Sequence, residues 1–331
     1  MIDISSVTAA PEMFLTTSRL AASDRWDHFL ARIGYKRSEH RLEPGLYALG
    51  KPTPDSRVFV TANYTLSFDA LRAALDGMDG YILVLDTQGI NVWCAAGKGT
   101  FGTDEIVHRV FATGLKKAVN HRKLILPQLG APGVAAHEVK KRTGFKVEYG
   151  PVRAAELPEY LKTHKATPEM RRVQFTLRDR ATLIPVEFVH VILPTLIVAI
   201  ILYFLGGIVS SLAAVTAVLA GTVLFPILLP WLPTNNISTK GFILGGLAVL
   251  PFALSVFIRH PDWNWYRQIG QALGFLLAMP AVTAFLTLNF TGSTTFTSRT
   301  GVRREMFAYI PAMAWTFAAG IVLNLVFVFV R

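Results

Sequence analysis

Between Glu187 and Lys240 the chain carries no Asp, Glu, Lys or Arg, and the same holds from Lys240 to Arg259, from Arg267 to Arg299 and from Glu305 to Arg331. Uncharged stretches of this length leave few folds open. A helix crossing ~30 Å of hydrocarbon needs about 20 mostly apolar residues. Five segments meet that requirement, at approximately 186–206, 208–229, 241–258, 269–289 and 307–330. Residues 186–331 therefore read as an all-α membrane domain of five transmembrane helices. Pro194, Pro226, Pro251, Pro280 and Pro311 fall inside the spans, where the backbone groups they free need partners within the bundle. Trp231, Trp263, Trp265 and Tyr266 sit at span ends, as interfacial anchors do.

The first 180 residues differ in kind. They hold 26 of the 33 Lys and Arg and 19 of the 22 Asp and Glu. The basic residues are scattered among acids, without a stripe interleaved with aromatics, which argues against nucleic acid as a partner. Arg171, Arg172, Arg178 and Arg180 crowd the charged connector, residues 166–185, just before the first span. Basic residues beside a span mark its cytoplasmic side. Placing the N-terminal part inside puts Lys240, Arg299, Arg303 and Arg304 inside and Arg259, Arg267 and Arg331 outside. The N-terminus lacks a basic stretch followed by an apolar one, so no signal peptide is expected. The expected location is the cytoplasmic (inner) membrane, with the soluble part in the cytoplasm and the lipid bilayer as a partner.

Cys94 is the one cysteine. It excludes an internal disulfide and an iron–sulfur cluster held by this chain alone, since such clusters normally take four thiolates. Any electron supply must come from another protein.

From Pro44 onward, strand-like and helix-like segments alternate. Strands are expected at 57–62, 81–85, 123–126 and 145–149. Helices are expected from Ser67, as N-cap, to Leu75, from about Thr103, over 134–142 closed by Gly144, and over 154–162. This alternation implies a Rossmann-like α/β domain with a parallel sheet, at residues 44–165. Ligands of such folds bind beyond the carboxyl ends of the strands. Those ends are Thr61 to Asn63, the loop from Asp86 to Cys94, Pro127 to Gly133, and Gly150 to Arg153. Residues 1–43 form a leader of uncertain role. Within it, residues 23–33 read as a short amphipathic helix with Trp26, Phe29, Leu30 and Ile33 on one side, a packing element or a partly ordered lead-in.

The loop after the second strand carries Asn91-Val92-Trp93-Cys94-Ala95-Ala96-Gly97-Lys98, followed by Gly99-Thr100-Phe101-Gly102. A soft sulfur donor thus sits on a short helical turn among small residues that let a flat, bulky group come close. From spacing alone, a lone cysteine is most often a small buried apolar residue. The octapeptide, however, resembles the HgcA family, the membrane-bound corrinoid proteins of microbial mercury methylation, which are related to the corrinoid domain of corrinoid iron–sulfur proteins. The resemblance runs from about Pro44 to the C-terminus. It includes Val60-Thr61-Ala62-Asn63-Tyr64, the run from Leu126 to Gly133, the run from Tyr149 to Arg153, and the hydrophobic tail.

The resemblance implies a cobalamin-type corrinoid with Cys94 as lower axial ligand to its cobalt. It also implies methyl transfer to mercury(II), forming methylmercury. The rim that the resemblance and the topology both select makes Thr61, Asn63, Asn91, Val92, Trp93, Ala95, Ala96, Gly97, Lys98, Gly99, Thr100, Gln128, Gly130, Gly133, Gly150 and Arg153 the expected cofactor-binding residues. Asn91 is equally a helix cap, Trp93 a packing anchor or a wall of the site, and Lys98 a partner for a corrin amide, a nucleotide-tail phosphate or solvent. Two partners are implied: an HgcB-type ferredoxin-like protein with two 4Fe–4S clusters as electron donor, and a methyl donor of the tetrahydrofolate pathway acting through another methyltransferase.

Two rivals are weaker. Gly97-x-Gly99-x-x-Gly102 fits the dinucleotide fingerprint, but a cysteine-bearing turn separates it from its strand. Asn120-His121-Arg122-Lys123 also occupies the position where an acid is needed. A transporter or scaffold with a cytoplasmic binding domain is supported by the spans, yet their interiors carry no Asp, Glu, Lys or Arg to mark a route. His190, near the start of the first span, reads as a packing residue. A corrinoid methyl carrier with another acceptor stays open, because the residues specify the cofactor better than the acceptor.

Overall fold

A computed structural model describes residues 13–293 and 299–329. The first 12 residues of the leader, part of the loop before the last span, and Val330 and Arg331 lie outside the described residues. The chain forms two compact units, one of residues 1–31 and 35–174 and the other of residues 32–34 and 175–331.

The first unit contains β1 (Met13–Thr16), α1 (Ala22–Arg32), β2 (Gly45–Leu49), β3 (Val58–Ala62), α2 (Thr65–Ala74), β4 (Gly80–Leu85), α3 (Val92–Lys98), α4 (Thr103–Ala112), α5 (Leu115–Ala118), β5 (Lys123–Leu126), α6 (Ala136–Thr143), β6 (Lys146–Tyr149) and α7 (Leu157–Thr163). The sheet order is β1-β2-β4-β3-β5-β6. The strands from β3 to β6 are mutually parallel, whereas β2 runs antiparallel to β4, with β1 parallel to β2. The expected all-parallel sheet is thus corrected by two strands at one edge. Every residue of β2, β3 and β4 is buried, as strands covered on both faces are.

The alternation of side chains along these strands sorts them between two cores. Val58, Val60, Leu83 and Leu85 join Val92, Ala95, Ile106 and Val139 under α3, α4 and α6. Phe59, Ile82 and Val84 join Phe68, Leu71, Leu75, Leu157 and Leu161 under α2 and α7. Chain direction across the sheet reverses between β3 and β5, because β3 leads on to β4 and β5 leads to β6 on the other side. A crevice at such a switch point is where open α/β sheets hold ligands. Helix α2 is capped three residues earlier than the expected Ser67. Its N-cap is Tyr64, without a side-chain cap, and Asp69 is buried past the first turn.

In the second unit, α8 (Leu177–Ala181) opens with a capping box between Thr176 and Asp179. It is followed by α9 (Ile184–Leu219), a π-helical turn Ala220–Leu224, α10 (Phe225–Leu228), α11 (Ile237–Arg259), α12 (Trp265–Thr287) and α13 (Arg299–Phe329). Among the described residues four runs are long and apolar enough to cross a membrane: Leu177–Leu228, Ile237–Arg259, Trp265–Phe290 and Thr300–Phe327. The first run holds both segments expected at 186–206 and 208–229. It is interrupted at Gly207, whose φ of 74° and ψ of −176° are not helical. Arg180 Nη2 donates to the carbonyl of Ile227 at 3.5 Å, whereas a straight helix would set residues 47 apart about 70 Å away. The run therefore doubles back at Gly207.

Small residues form the seams between these helices. A Cβ on Gly241 would meet Ala284 and Thr287, one on Gly245 would meet Pro280 and Thr283, and one on Gly320 would meet Ala278. Thr283 Oγ1 donates to the Ala217 carbonyl at 2.8 Å across the bundle.

Candidate functional site

Asn63, at the end of β3, is 1% exposed and shapes the loop that follows β4. Its Oδ1 accepts from the N–H groups of Thr87 and Gly89, each at 3.0 Å, and its Nδ2 donates to Asp86 at 3.3 Å. Gln88 and Gly89 take positive φ in this turn. The loop thereby delivers Asn91 in extended conformation at the N-cap of α3, where its Oδ1 accepts from the Cys94 N–H at 2.9 Å. An N-cap acceptor satisfies one of the donors a helix start leaves over. Gly99 closes the seven-residue helix in the left-handed region, φ 91°, donating to the Ala95 carbonyl.

Helix α3 presents two surfaces. Val92, Ala95 and Ala96 are buried in the core, whereas Trp93, Gly97 and Lys98 are exposed and Cys94 is partly exposed. Side chains added at Gly97 or Gly99 would meet nothing within 4 Å. The approach past Cys94 is therefore open on the side of the small residues. Thr100 Oγ1 is buried and has no hydrogen-bond partner among the described residues.

The 3-10 turn Gln128–Gly133 after β5 packs against α3. Gly133 allows this contact, because a Cβ there would strike the Ala96 backbone and the Phe101 carbonyl. One at Gly130 would come within 2.5 Å of the Phe101 ring. Gln128 Oε1 accepts from Arg171 at 3.0 Å. Gly150 is buried and donates to the Leu126 carbonyl at 2.8 Å, and Arg153 follows it, half-buried.

Beside α3, between the carboxyl ends of β3 and β5, lies a cavity of about 330 Å³ with a mainly apolar lining. Thr61, Asn91, Val92, Trp93 and Gly150 reach it, as do Ser67 of α2, Leu129 and Pro151. Apart from Thr100, Gln128 and Arg153, which do not border the cavity, the expected site residues fall into three groups. Thr61, Asn91, Val92, Trp93 and Gly150 border the cavity. Cys94, Gly97, Lys98 and Gly99 form the open surface of α3. Asn63, Ala95, Ala96, Gly130 and Gly133 lie beneath, holding the loop and the seam. Pro151 falls within the expected strand end Gly150 to Arg153, whereas sequence reasoning missed Ser67 and Ala70 as lining residues. The one available signal was the small-residue spacing of Ser67 and Ala70 on α2.

Among the described residues no cluster of three His, Cys, Asp or Glu stands ready to hold a bare metal ion. The glycine triad does not form a dinucleotide turn. Gly97 is inside α3, Gly99 is its C-cap and Gly102 is the N-cap of α4. A helix thus separates β4 from the glycines, where the fingerprint requires direct succession.

Residues 35–161 match the family of the CO dehydrogenase/acetyl-CoA synthase delta subunit. The chain is 33% identical over 128 residues to the acetyl-CoA decarbonylase/synthase complex subunit gamma of Archaeoglobus fulgidus, and equally to that of Methanopyrus kandleri. Each match covers 38% of this chain and 27% of the relative. The corresponding subunit of Methanosarcina acetivorans is 30% identical over 125 residues, 37% of this chain and 26% of its own length. The chain therefore spans about a quarter of the length of the curated relatives it matches. The family match takes in the sheet from β2 to β6 with α2 to α6, and it ends ahead of the helical unit.

Proposed function

We propose that this chain is a membrane-anchored, corrinoid-dependent methyltransferase in which Cys94 is the lower axial ligand to cobalt and mercury(II) is the methyl acceptor. The observation that carries the reading is a partly exposed cysteine on a capped helical turn, beside a cavity at the switch point of the sheet. It lies in a domain similar to acetyl-CoA decarbonylase/synthase gamma subunits. A corrinoid, when bound, supplies a cobalt that takes up and hands on a methyl group.

The residues present fit such a group. Cys94 offers a soft sulfur donor suited to a transition metal. Asn91 fixes the backbone that carries it. Gly97 and Gly99 leave the adjoining surface free of side chains, so that a flat macrocycle can approach. The cavity lined by Ser67, Trp93 and Pro151 accepts the apolar part of a nucleotide tail. Lys98 and Arg153 supply positive charge for its phosphate and for amide oxygens. Asn63, Ala95, Ala96, Gly130 and Gly133 act from below by holding this surface in place.

With one cysteine, the chain depends on a ferredoxin-like iron–sulfur partner for electrons, and it takes its methyl group from a tetrahydrofolate-type donor through another methyltransferase. The helical unit crosses the cytoplasmic membrane five times, with Gly207 as the turn between the first two crossings. The basic connector then places the α/β unit in the cytoplasm. Similarity to acetyl-CoA decarbonylase/synthase subunits favours a second reading, a methyl carrier with another acceptor.

The test uses the full-length protein in detergent, loaded with cobalamin and supplied with a methyl group. Cys94→Ala should keep the fold, at a cost of about a few kcal/mol at most. It should change the visible spectrum of the bound corrinoid and lose methyl transfer to mercury(II). Cys94→His should load less corrinoid and transfer little. A Cys94→Ala protein with an unchanged spectrum and the parent rate would overturn ligation by Cys94. A spectrum that depends on Cys94, without transfer to mercury(II), would select the second reading. Without an iron–sulfur donor or chemical reductant, the pure chain should complete at most one turnover.

A further inference from the structure

Helix α1 is amphipathic, but it is laid on the domain by its polar side. Asp24 pairs with Arg72 at 2.6 Å, His28 with Asp69 at 2.7 Å, and Asp27 with both His40 and Thr65 at 2.6 Å. Ala31 completes this inward face. Spacings of three and four residues place Arg25, Trp26, Phe29 and Arg32 on the opposite side, and all four are exposed. Trp26 and Phe29 are 61% and 50% exposed. Their rings stack on each other 5.3 Å apart, with no other aromatic partner among the described residues. Tyr35, Lys36 and Arg37, just beyond the helix, are exposed as well.

The chain leaves α1 directly into the second unit, to which residues 32–34 belong. Gly34 lies where a Cβ would come within 2.8 Å of Val186 and 3.0 Å of His190, in the opening turns of α9. Aromatic rings with flanking Arg and Lys are what membrane interfaces select.

We infer that the outer face of α1 is a docking surface for the anionic bilayer, with Trp26 and Phe29 seated among the headgroups and Arg25, Arg32 and Arg37 facing lipid phosphates. Charge complementarity between Arg25, Arg32 and Arg37 and anionic headgroups favours lipid over a protein partner. This rests on the reading that the helical runs lie in a membrane. That reading is checked separately by whether the chain reconstitutes into lipid discs at all.

The test places a benzophenone amino acid at position 29 of the full-length chain, in lipid nanodiscs of phosphatidylcholine with or without phosphatidylglycerol. Adducts formed on illumination are read by mass spectrometry. Position 111, an exposed phenylalanine of α4, serves as the comparison. The expected result is a lipid adduct at position 29, well above that at position 111 and enriched in phosphatidylglycerol. It should fall about fivefold with each of Arg25→Gln and Arg32→Gln, the effect of one basic residue at an anionic surface. A position-29 adduct to protein, whether another copy or the chain's own residues, would overturn the inference. So would lipid adducts no more abundant than at position 111.

Discussion

The two units of this chain bury large and small side chains in different proportions. In the α/β unit the fully buried positions belong to Leu46, Ile82, Leu83, Leu85 and Ile106. In the helical unit they belong largely to Ala213, Ala217, Ala278, Ala284 and Thr283, while Phe204 is 80% and Leu205 65% exposed. In water, leaving such side chains outside would forfeit about 1.5–3 kcal/mol each. In hydrocarbon nothing is lost, because lipid tails are as apolar as leucine. Helices there associate through small residues that bring backbones close. The distribution of large and small residues thus follows opposite packing rules in the two halves, that of a water-exposed core in one and that of helices long and apolar enough to cross a membrane in the other.

Matched substitutions put this contrast at risk. Leu83→Ala should destabilise the α/β unit by about 2–5 kcal/mol, the usual consequence of a core cavity. Leu205→Ala, an exposed position on α9, should stay within about 0.5 kcal/mol. Denaturant titration of the full chain in detergent, followed separately by probes in each unit, checks both. Equal losses would mean that the α9 surface is covered in the native protein.

A smaller effect comes from the opposite kind of change. Gly320→Leu forces a side chain against the Ala278 backbone, whose nitrogen a Cβ would approach to 2.5 Å. Overpacking of this sort costs about 1–3 kcal/mol. Thermal unfolding in detergent should show it as a lowered midpoint for the helical unit, with the α/β transition unmoved.

The smallest expected effect is confined to the leader. Burial works against charge on His40, but the hydrogen bonds to Asp27 at 2.6 Å and to the Tyr35 carbonyl at 2.7 Å outweigh it. They hold the imidazole above its ordinary value. Its contribution is complete below about pH 6.5, the unfolded value, and fades as pH rises through the folded one. Burial likewise opposes charge on Asp24, but the Ala21 N–H and Arg72 lower it, so its contribution is lost only as pH falls through the depressed folded value. Protection of the α1 amides, relative to their intrinsic exchange rates, should therefore be greatest between these limits. His40→Gln should flatten the profile on the neutral side alone.

Legibility in the sequence followed the range of the interactions involved. The four parallel strands were readable as apolar runs, and Asn91 as a cap, because both signals are local. Strands β1 and β2 were not, since Met13–Thr16 and Gly45–Leu49 lie outside the regular alternation of strand and helix and their pairing depends on partners elsewhere in the chain. The stripe on α1 was readable as a stripe, but its direction was not. What turns Asp24, Asp27 and His28 inward is Arg72, Asp69, His40 and Thr65, as far as 48 residues away. At the candidate site the rim followed from the strand ends. The fit of Gly130 and Gly133 under α3 and Phe101, and the turn of Ser67 toward the cavity, exist only once three segments meet.

Helix α3, at seven residues, is too short to persist alone, since isolated helices below ~12–15 residues are marginal in water. What holds it is the Asn91 cap, the glycine seam and the buried face of Val92, Ala95 and Ala96. The turn bearing Cys94 therefore has little independent freedom to fray. Deuterium exchange at the Cys94 amide thus reports on the Asn91 cap and on the packing beneath α3, not on helix propensity.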